Sequence, residues 1–261
     1  MSDHDTKYAF FDLDHTIIPQ DTQVLFAQYI FTREPWRRIY LLWFIPALVP
    51  AALGICSIRF MKRLFSSYLW GMSEQKLRSY AVQFAEQIVP RVSYPEVGAE
   101  IQRLKDEGYL LILNSASPEF YVSEVARKFG FDHYLGTDMA VSETMPFLPK
   151  ITGPNNKREA KIVAMEERGL IPPGYYTNHK TFPGSWAFSD SSADIPLLSI
   201  AEHGVTIHPG EKLAEAAAQN NWATLTPPRP YEGKWGSKLA TIRLALGFGK
   251  KYLASSADTN E

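Results

Sequence analysis

Tyr8-Ala9-Phe10-Phe11 is a short apolar run with polar sequence before it and two acids just after it, the pattern of a strand buried on both faces. From Tyr94 onward the pattern alternates. Val97, Ile101 and Leu104 form a stripe at helical spacing, Pro95 suits a first turn and Gly108 follows, so a helix is predicted from Pro95 to Glu107. Tyr109 to Leu113 reads as a buried strand. Pro118 to Lys128 reads as a helix with Phe120, Val122 and Val125 inward, stopped at Gly130. Tyr134 to Gly136 and Met139 to Val141 are short strand candidates, and Arg158 to Arg168 is a helix ended by Gly169. Ser185 to Ser189 is a strand, Ile195 to Ala201 opens a helix, Val205 to Ile207 is a strand, and Glu211 to Gln219 is the next helix. Such alternation implies an α/β fold with a parallel sheet covered on both faces.

Residues 19–93 break the alternation and read as mostly helical. Within them, residues 39–58 run about twenty positions without a charge, close to the length that crosses a bilayer's hydrocarbon core. Arg33, Arg37 and Arg38 precede the run; Arg59, Lys62 and Arg63 follow it. A single crossing conflicts with the fold, because the strands on either side of the insert belong to one sheet. Bases at both ends also favour both ends on one side. Two arrangements stay open. The segment bends at Pro46 and Pro50 and enters one leaflet, with Tyr40, Trp43 and the flanking bases as an interfacial anchor. Alternatively it is a buried helical hairpin, packed within the insert or in a dimer interface. Between Pro227 and Leu253, Arg229, Lys234, Lys238, Arg243, Lys250 and Lys251 accompany one acid, Glu232, and Leu239, Ile242, Leu246 and Phe248 form an apolar face. That is a basic amphipathic helix for an anionic membrane surface, or a helix docked on the core. Residues 254–261 read as a disordered tail.

The 261 residues carry a net charge of −1, which leaves no electrostatic footprint for nucleic acid. The one cysteine, Cys56, excludes an internal disulfide framework and fits a reducing compartment; its apolar neighbours predict a packing role. Met1 to Lys7 is polar and lacks the apolar stretch of a secretory signal. A cytoplasmic location is therefore expected, with attachment to the cytoplasmic face of the inner membrane if the apolar run meets lipid. There is no Gly-rich phosphate loop and no zinc-ligand spacing. Nothing in the pattern sets the oligomeric state.

Candidate chemistry lies where strands end. A turn at Leu13 would crowd Asp12 and Asp14 at the carboxyl end of the first strand, where ligands of open α/β sheets bind. Two adjacent carboxylates call for a cation or a shared proton. Leu110-Leu111-Ile112-Leu113-Asn114-Ser115-Ala116-Ser117 is a second apolar strand, ending in hydroxyls. Asn155-Asn156-Lys157-Arg158-Glu159-Ala160-Lys161 supplies lysines, and Trp186 to Asp194 is a strand ending in acid-x-x-x-acid. In this order the four segments resemble the motifs of the haloacid dehalogenase-like (HAD) hydrolase superfamily, over residues 7 to about 225, and most of all the subgroup that includes phosphoserine phosphatase. The resemblance implies a Rossmann-like core from residues 1–18 and 94–261, with a basic tail from about 227, and a helical cap of residues 19–93 that closes over the site. The apolar stretch and Leu69-Trp70-Gly71 are also similar to bacterial phosphatidylglycerophosphate phosphatases of the C type, which points to a lipid phosphate. A phosphorylated small amino acid or amino alcohol is the alternative, and a non-catalytic binding protein with a relic site is the second.

What the resemblance implies for individual residues is specific. Asp12 would attack phosphorus, and Asp14 would protonate the leaving oxygen and later activate water. Mg²⁺ would be held by the carboxylates of Asp12 and Asp190 and the main-chain carbonyl of Asp14. Thr16 would orient the loop. Ser115 and the Ala116 amide would hold a phosphoryl oxygen, Ser117 being better placed as a helix cap. Lys161, followed by an aliphatic residue, fits the charge-compensating lysine better than Lys157, its rival. Asp194 would orient a metal-bound water or the lysine, or cap the helix at Ile195, and Ser191 would support the metal site. His15 receives no catalytic role; His179, His203 and His208 show no ligand spacing.

Overall fold

The computed structural model describes residues 6–152 and 156–253. The polar start before Thr6, the first residue of the lysine loop (Asn155) and the expected tail at 254–261 lie outside the described residues.

Six parallel strands form one sheet: β1 (Tyr8–Phe11), β2 (Leu110–Pro118), β3 (His133–Thr137), β4 (Phe182–Ser189), β5 (Ala201–Ile207) and β6 (Ala223–Leu225). Their spatial order is β3-β2-β1-β4-β5-β6. The chain runs outward from β1 to one edge, then returns to the other side of β1, so the order reverses between β1 and β4. Ligands of open α/β sheets sit at the carboxyl ends of strands flanking such a switch.

Burial explains the apolar run that opens the chain. All four residues of β1 are buried, and they alternate. Ala9 and Phe11 join a cluster with Val97, Ile101 and Leu104 of α6 (Pro95–Asp106) and Val122 and Val125 of α7 (Glu119–Phe129). Tyr8 and Phe10 face the other cluster, with Ile162 and Met165 of α8 (Glu159–Glu167), Leu197 and Leu198 of α9 (Ile195–Ser199) and Leu213 of α10 (Glu211–Asn220). With helices over both faces no position of β1 meets water, so period-two polarity does not develop there.

Several boundaries differ from expectation. β2 runs on through Ser117 to Pro118, so its hydroxyl-rich end is still strand. Met139 to Val141 is not a strand; Met139 makes one isolated antiparallel bridge to Ile151. The helix expected from Ile195 to Ala201 ends at Ser199 because Ala201 already pairs with Phe182 in the sheet. β5 therefore starts in polar sequence, Glu202-His203, that gave no strand signal.

Between β1 and α6 lie α1 (Thr22–Arg33), α2 (Leu41–Ala52), α3 (Ile58–Phe65), α4 (Glu74–Gln83) and the short α5 (Val89–Val92). Asp21 caps α1, accepting from the amides of Gln23 and Val24 at 2.8 and 3.3 Å. The buried faces of α1 and α4 run into the same cluster as Phe11 and Leu113. The apolar run does not fold as a hairpin packed within the insert: α2 has no buried residue, and Leu42, Leu53, Ile55 and Ile58 are each more than two-thirds exposed. Nor are the expected anchors at its surface. Tyr40 is fully buried with its hydroxyl donating to the Ala245 carbonyl at 2.5 Å, and Trp43 donates to Ser67 Oγ at 2.7 Å. Arg37 is buried as well, paired with Glu34 and donating to the carbonyls of Tyr68 and Trp70. Cys56 is half-buried rather than packed.

Near the C-terminus, α11 (Gly233–Ala245) docks on the core through Ala240 and Leu244, one turn apart. The apolar face expected to dock points outward: Leu239, Ile242 and Phe248 are exposed.

Candidate active site

The site forms where β1, β2 and β4 end. Asp12 follows the last residue of β1, and its amide donates to the Phe188 carbonyl of β4 at 3.0 Å. The chain then turns sharply, with the Leu13 carbonyl accepting from the amides of Thr16, Ile17 and Ile18 at 3.3, 3.0 and 3.2 Å. His15 completes the turn at φ +60°. That left-handed conformation suits a small residue or glycine, and histidine tolerates it here with Nδ1 2.9 Å from the Pro19 carbonyl oxygen.

Thr16, fully buried, ties two of the strand ends together. Its hydroxyl lies 3.2 Å from Asp12 Oδ2 and 3.3 Å from Asp190 Oδ1, and accepts from the Asp190 amide at 3.0 Å. One proton serves only one carboxylate at a time.

Lys161 reaches in from the first turn of α8 and is 1% exposed. Its ammonium donates to Asp12 Oδ1 at 2.6 Å and to Asp194 Oδ2 at 2.7 Å. Lys157 lies at the pocket wall with an exposed side chain, so Lys161 is the lysine joined to Asp12. Asp194 makes no helix-cap bond; its carboxylate goes to Lys161 and to Ser189 Oγ at 2.8 Å. Ser191 instead caps the short turn at Ser192–Asp194, accepting from the Ala193 amide at 3.2 Å.

Asp14 is held from two sides. Its Oδ1 accepts from the amide and hydroxyl of Thr22 at 2.6 and 2.5 Å; its Oδ2 accepts from Ser117 Oγ at 2.7 Å and lies 3.5 Å from Ser115 Oγ. Ser117 is therefore not a helix cap: α7 starts after it, and its hydroxyl works at the site. Ser115 is fully buried, with its oxygen accepting from the Ser117 amide at 3.0 Å. Ala116 and Ser117, not Ser115, line the cavity.

Three further groups carried no signal in the pattern. Asn156, buried, donates from Nδ2 to Asn114 Oδ1 at 2.6 Å and to the Ser115 carbonyl at 2.9 Å, while Asn114 Nδ2 donates to the Lys161 carbonyl at 3.1 Å. This asparagine pair fastens the lysine segment to the end of β2. Asn114 could have been noticed as an amide inside an apolar strand. Lys62 of α3 reaches the cavity wall and donates to the Ala116 carbonyl at 3.3 Å.

The cavity has a volume of about 310 Å³, and its charged lining is Asp12, Asp14, Asp21, Asp190 and Asp194 with Lys62, Lys157 and Lys161. Burial pushes the Asp12 carboxyl up to about 8; Lys161 pulls it down, and Asp194, Asp190 and Asp14 push it up again. Burial likewise raises Asp190 to about 6, with Asp194 and Asp14 adding to the rise and His15 and Lys161 opposing it. For Lys161, burial works against the charge, but Asp12 and Asp194 outweigh it and hold the ammonium above its usual range. Burial and the nearby Lys157 lower Lys62.

Five acids line the cavity against three lysines, so its carboxylates are under-compensated, and the acids offer only oxygen donors. A hard divalent cation such as Mg²⁺ fits that set, with Asp12 and Asp190 as the carboxylates, substrate and water completing the shell. Among the described residues no three His, Cys, Asp or Glu side chains already form a closed cage.

Comparison with known proteins agrees with this arrangement. Residues 9–199 match the haloacid dehalogenase-like hydrolase family, and the chain belongs to it. It is thus a hydrolase of the HAD type. It is 25% identical over 234 residues to a histidinol-phosphatase of Neisseria meningitidis serogroup C (strain 8013), covering 83% of this chain and 97% of that one. In fold it is similar to a protein of unknown function from Bordetella pertussis Tohama I, with TM-score 0.66 and 22% identity over 85% of this chain and 98% of that one. It is also similar to a phosphoserine phosphatase captured as a phospho-aspartyl intermediate analogue, with TM-score 0.53 and 17% identity over 86% and 94%.

Lys161→Ala leaves two buried carboxylates without their cation and is expected to cost about 3–5 kcal/mol in urea unfolding. Lys157→Ala, on an exposed side chain, is expected to stay within about 0.5 kcal/mol. Equal losses would contradict the pairing.

The raised carboxyls set a second expectation. A carboxyl whose folded-state value exceeds its unfolded value holds its proton more tightly when folded, so stability falls as pH rises between the two values. In EDTA the Tm is expected to decline from near pH 3.8 up to about 6 through Asp190, and on to about 8 through Asp12. Asp190→Asn should flatten the first part, and Mg²⁺ should raise the wild-type Tm above pH 6 more than that of the variant. A metal-free Tm that does not change with pH would contradict the crowding.

Proposed function

We propose that the chain is a Mg²⁺-dependent phosphomonoester hydrolase acting through an aspartyl-phosphate on Asp12. The observation that carries this is the buried triad in which Lys161 joins Asp12 to Asp194, with Asp190 tied in through Thr16. Lys161 opposes the protonation that burial favours at Asp12, and a divalent cation bound beside that carboxylate would complete the ionisation a nucleophile needs.

The roles follow from the contacts. Asp12 attacks phosphorus; a bond forms from Oδ2, the oxygen not paired with Lys161, while the ester oxygen departs. Asp14, anchored by Thr22 and Ser117, delivers the proton that oxygen needs and then takes one from the water that splits the acyl phosphate. The Ser117 hydroxyl and the Ala116 segment at the cavity wall receive phosphoryl oxygens, with Ser115 bracing that turn from inside. Asp194 and Ser189 fix Lys161, and Ser191 shapes the turn that presents Asp190. The divalent ion, when bound by Asp12, Asp190 and the Asp14 carbonyl, supplies charge neutralisation between carboxylate and phosphate.

Two substrate classes fit a cavity of about 310 Å³. A small amino alcohol or amino acid phosphate is favoured by the name of the Neisseria relative. A lipid phosphate is favoured by the exposed apolar surface around Ile58, one helical turn from Lys62 in the cavity wall. A screen of phosphate release across soluble and lipid phosphomonoesters, with and without detergent, separates them.

With p-nitrophenyl phosphate, Asp12→Asn is expected to lower Mg²⁺-dependent release by about 10³-fold or more at unchanged circular dichroism. Asp14→Asn should lose about 10²–10⁴-fold on an alkyl phosphate, whose leaving oxygen needs the proton, and less on the aryl ester. Wild-type turnover by Asp12→Asn would refute the proposal.

A further inference from the structure

We propose that the tip formed by α2, the turn at Gly54 and the start of α3 seats the protein in one leaflet of an anionic bilayer. The proposal stands apart from which phosphate the cavity cleaves.

No side chain from Ile45 to Phe60 is buried. Leu42, Ile45, Val49, Leu53, Ile55 and Ile58 stand outward, Ile58 being 76% exposed. Monomeric soluble proteins rarely leave so continuous an apolar surface in water. From Phe44 to Ile55 no side chain carries a hydrogen-bonding atom. A protein partner's interface offers roughly one hydrogen bond per 100–200 Å², and this tip has no side-chain group to answer it. A stretch from Phe44 to Ile55 with no polar side chain and no buried residue after Phe44 is matched by an occupant that asks for no hydrogen bond, namely lipid hydrocarbon.

Length sets the depth. α2 spans Leu41–Ala52, about 18 Å at 1.5 Å per residue, against a hydrocarbon core of about 30 Å. Among the described residues no helix is long and apolar enough to cross a membrane. The tip thus enters one leaflet and returns. Charge gives the sign of the surface. Arg38 before the tip and Arg59, Lys62 and Arg63 after it lie on segments without an acid from Pro35 to Phe65. Arg59, Arg63 and Arg38 donate to the carbonyls of Ile151, Pro149 and Gly247, which fixes a basic collar at the base of the tip. Phe248, 70% exposed beside Arg38, adds an apolar contact at the same level.

Docking also sets the orientation of the cavity. Ile58 and Lys62 are one turn apart on α3, about 6 Å along its axis, and Lys62 is in the cavity wall. A bilayer that holds Ile58 brings the cavity mouth to the headgroup layer.

The test is flotation of the full chain with phosphatidylcholine vesicles, with and without phosphatidylglycerol, alongside Val49→Ser/Leu53→Ser/Ile55→Ser. The wild type is expected to float with the anionic vesicles, less so as salt is raised. The triple variant should lose about tenfold or more of that binding, with hydrolysis of p-nitrophenyl phosphate unchanged as proof of folding. A wild type that stays with neither vesicle overturns the proposal. So does light scattering that shows a dimer in vesicle-free buffer which the triple variant dissolves, because a second copy then covers the tip. Absence of aryl phosphate hydrolysis in the wild type would count against the enzymatic reading and leave the docking result standing.

Discussion

The ammonium of Lys161, buried between the carboxylates of Asp12 and Asp194, is the contact on which the site depends. It joins three segments far apart in sequence: the end of β1, the first turn of α8 and the turn after β4. Taking three charges out of water is costly, and only short, well-directed contacts compensate. The structure supplies them, along with Ser189 on Asp194 and Thr16 on Asp12. The triad has two acids to one base, which leaves a negative balance beside the cavity. Asp14 and Asp190 deepen it. That imbalance is the physical reason the site calls for a cation.

Sheet order makes the triad reachable. Because β1 is flanked by β2 and β4, residues just past the ends of these strands face one crevice. Local conformation then aims them. His15 adopts φ +60° so that the chain can turn back at Leu13, and Arg158 adopts φ +58° just before α8. Non-glycine residues in that region are strained, and strain held at such places accompanies functional geometry. The two asparagines, Asn114 and Asn156, hold the segment carrying Lys161 against the end of β2, so its reach to Asp12 is fixed before any ligand arrives.

Much of this was legible in the sequence because it rested on local pattern. β1, the helices on both faces and the acids at strand ends follow from apolar runs and their punctuation. Choices between neighbours were harder, since they turn on which way a side chain points. Ser117 reaches Asp14 and the cavity while Ser115 is fully buried and accepts from the Ser117 amide, although positions two apart in a regular strand share a face; the register of β2 shifts between Asn114 and Pro118, and no local pattern announces that. Asp194 was open to two roles, the lysine and the helix start, and only its contacts show that it answers to Lys161 and makes no cap bond. The face of α11 that docks is Ala240 and Leu244, smaller than the Leu239 and Ile242 face left outside. No periodicity encodes that choice. The apolar run was visible at once, yet only the folded chain reveals that Tyr40, Trp43 and Arg37 are used internally while Leu53, Ile55 and Ile58 are not.

The most direct measurement is the site of covalent phosphorylation. The enzyme is mixed with substrate and Mg²⁺, quenched in acid, reduced with borohydride, and its peptides are read by mass spectrometry. Borohydride converts an aspartyl-phosphate to homoserine, and the account predicts that conversion at Asp12 alone. Conversion at another residue, or steady turnover with Asp12 never modified, would contradict it.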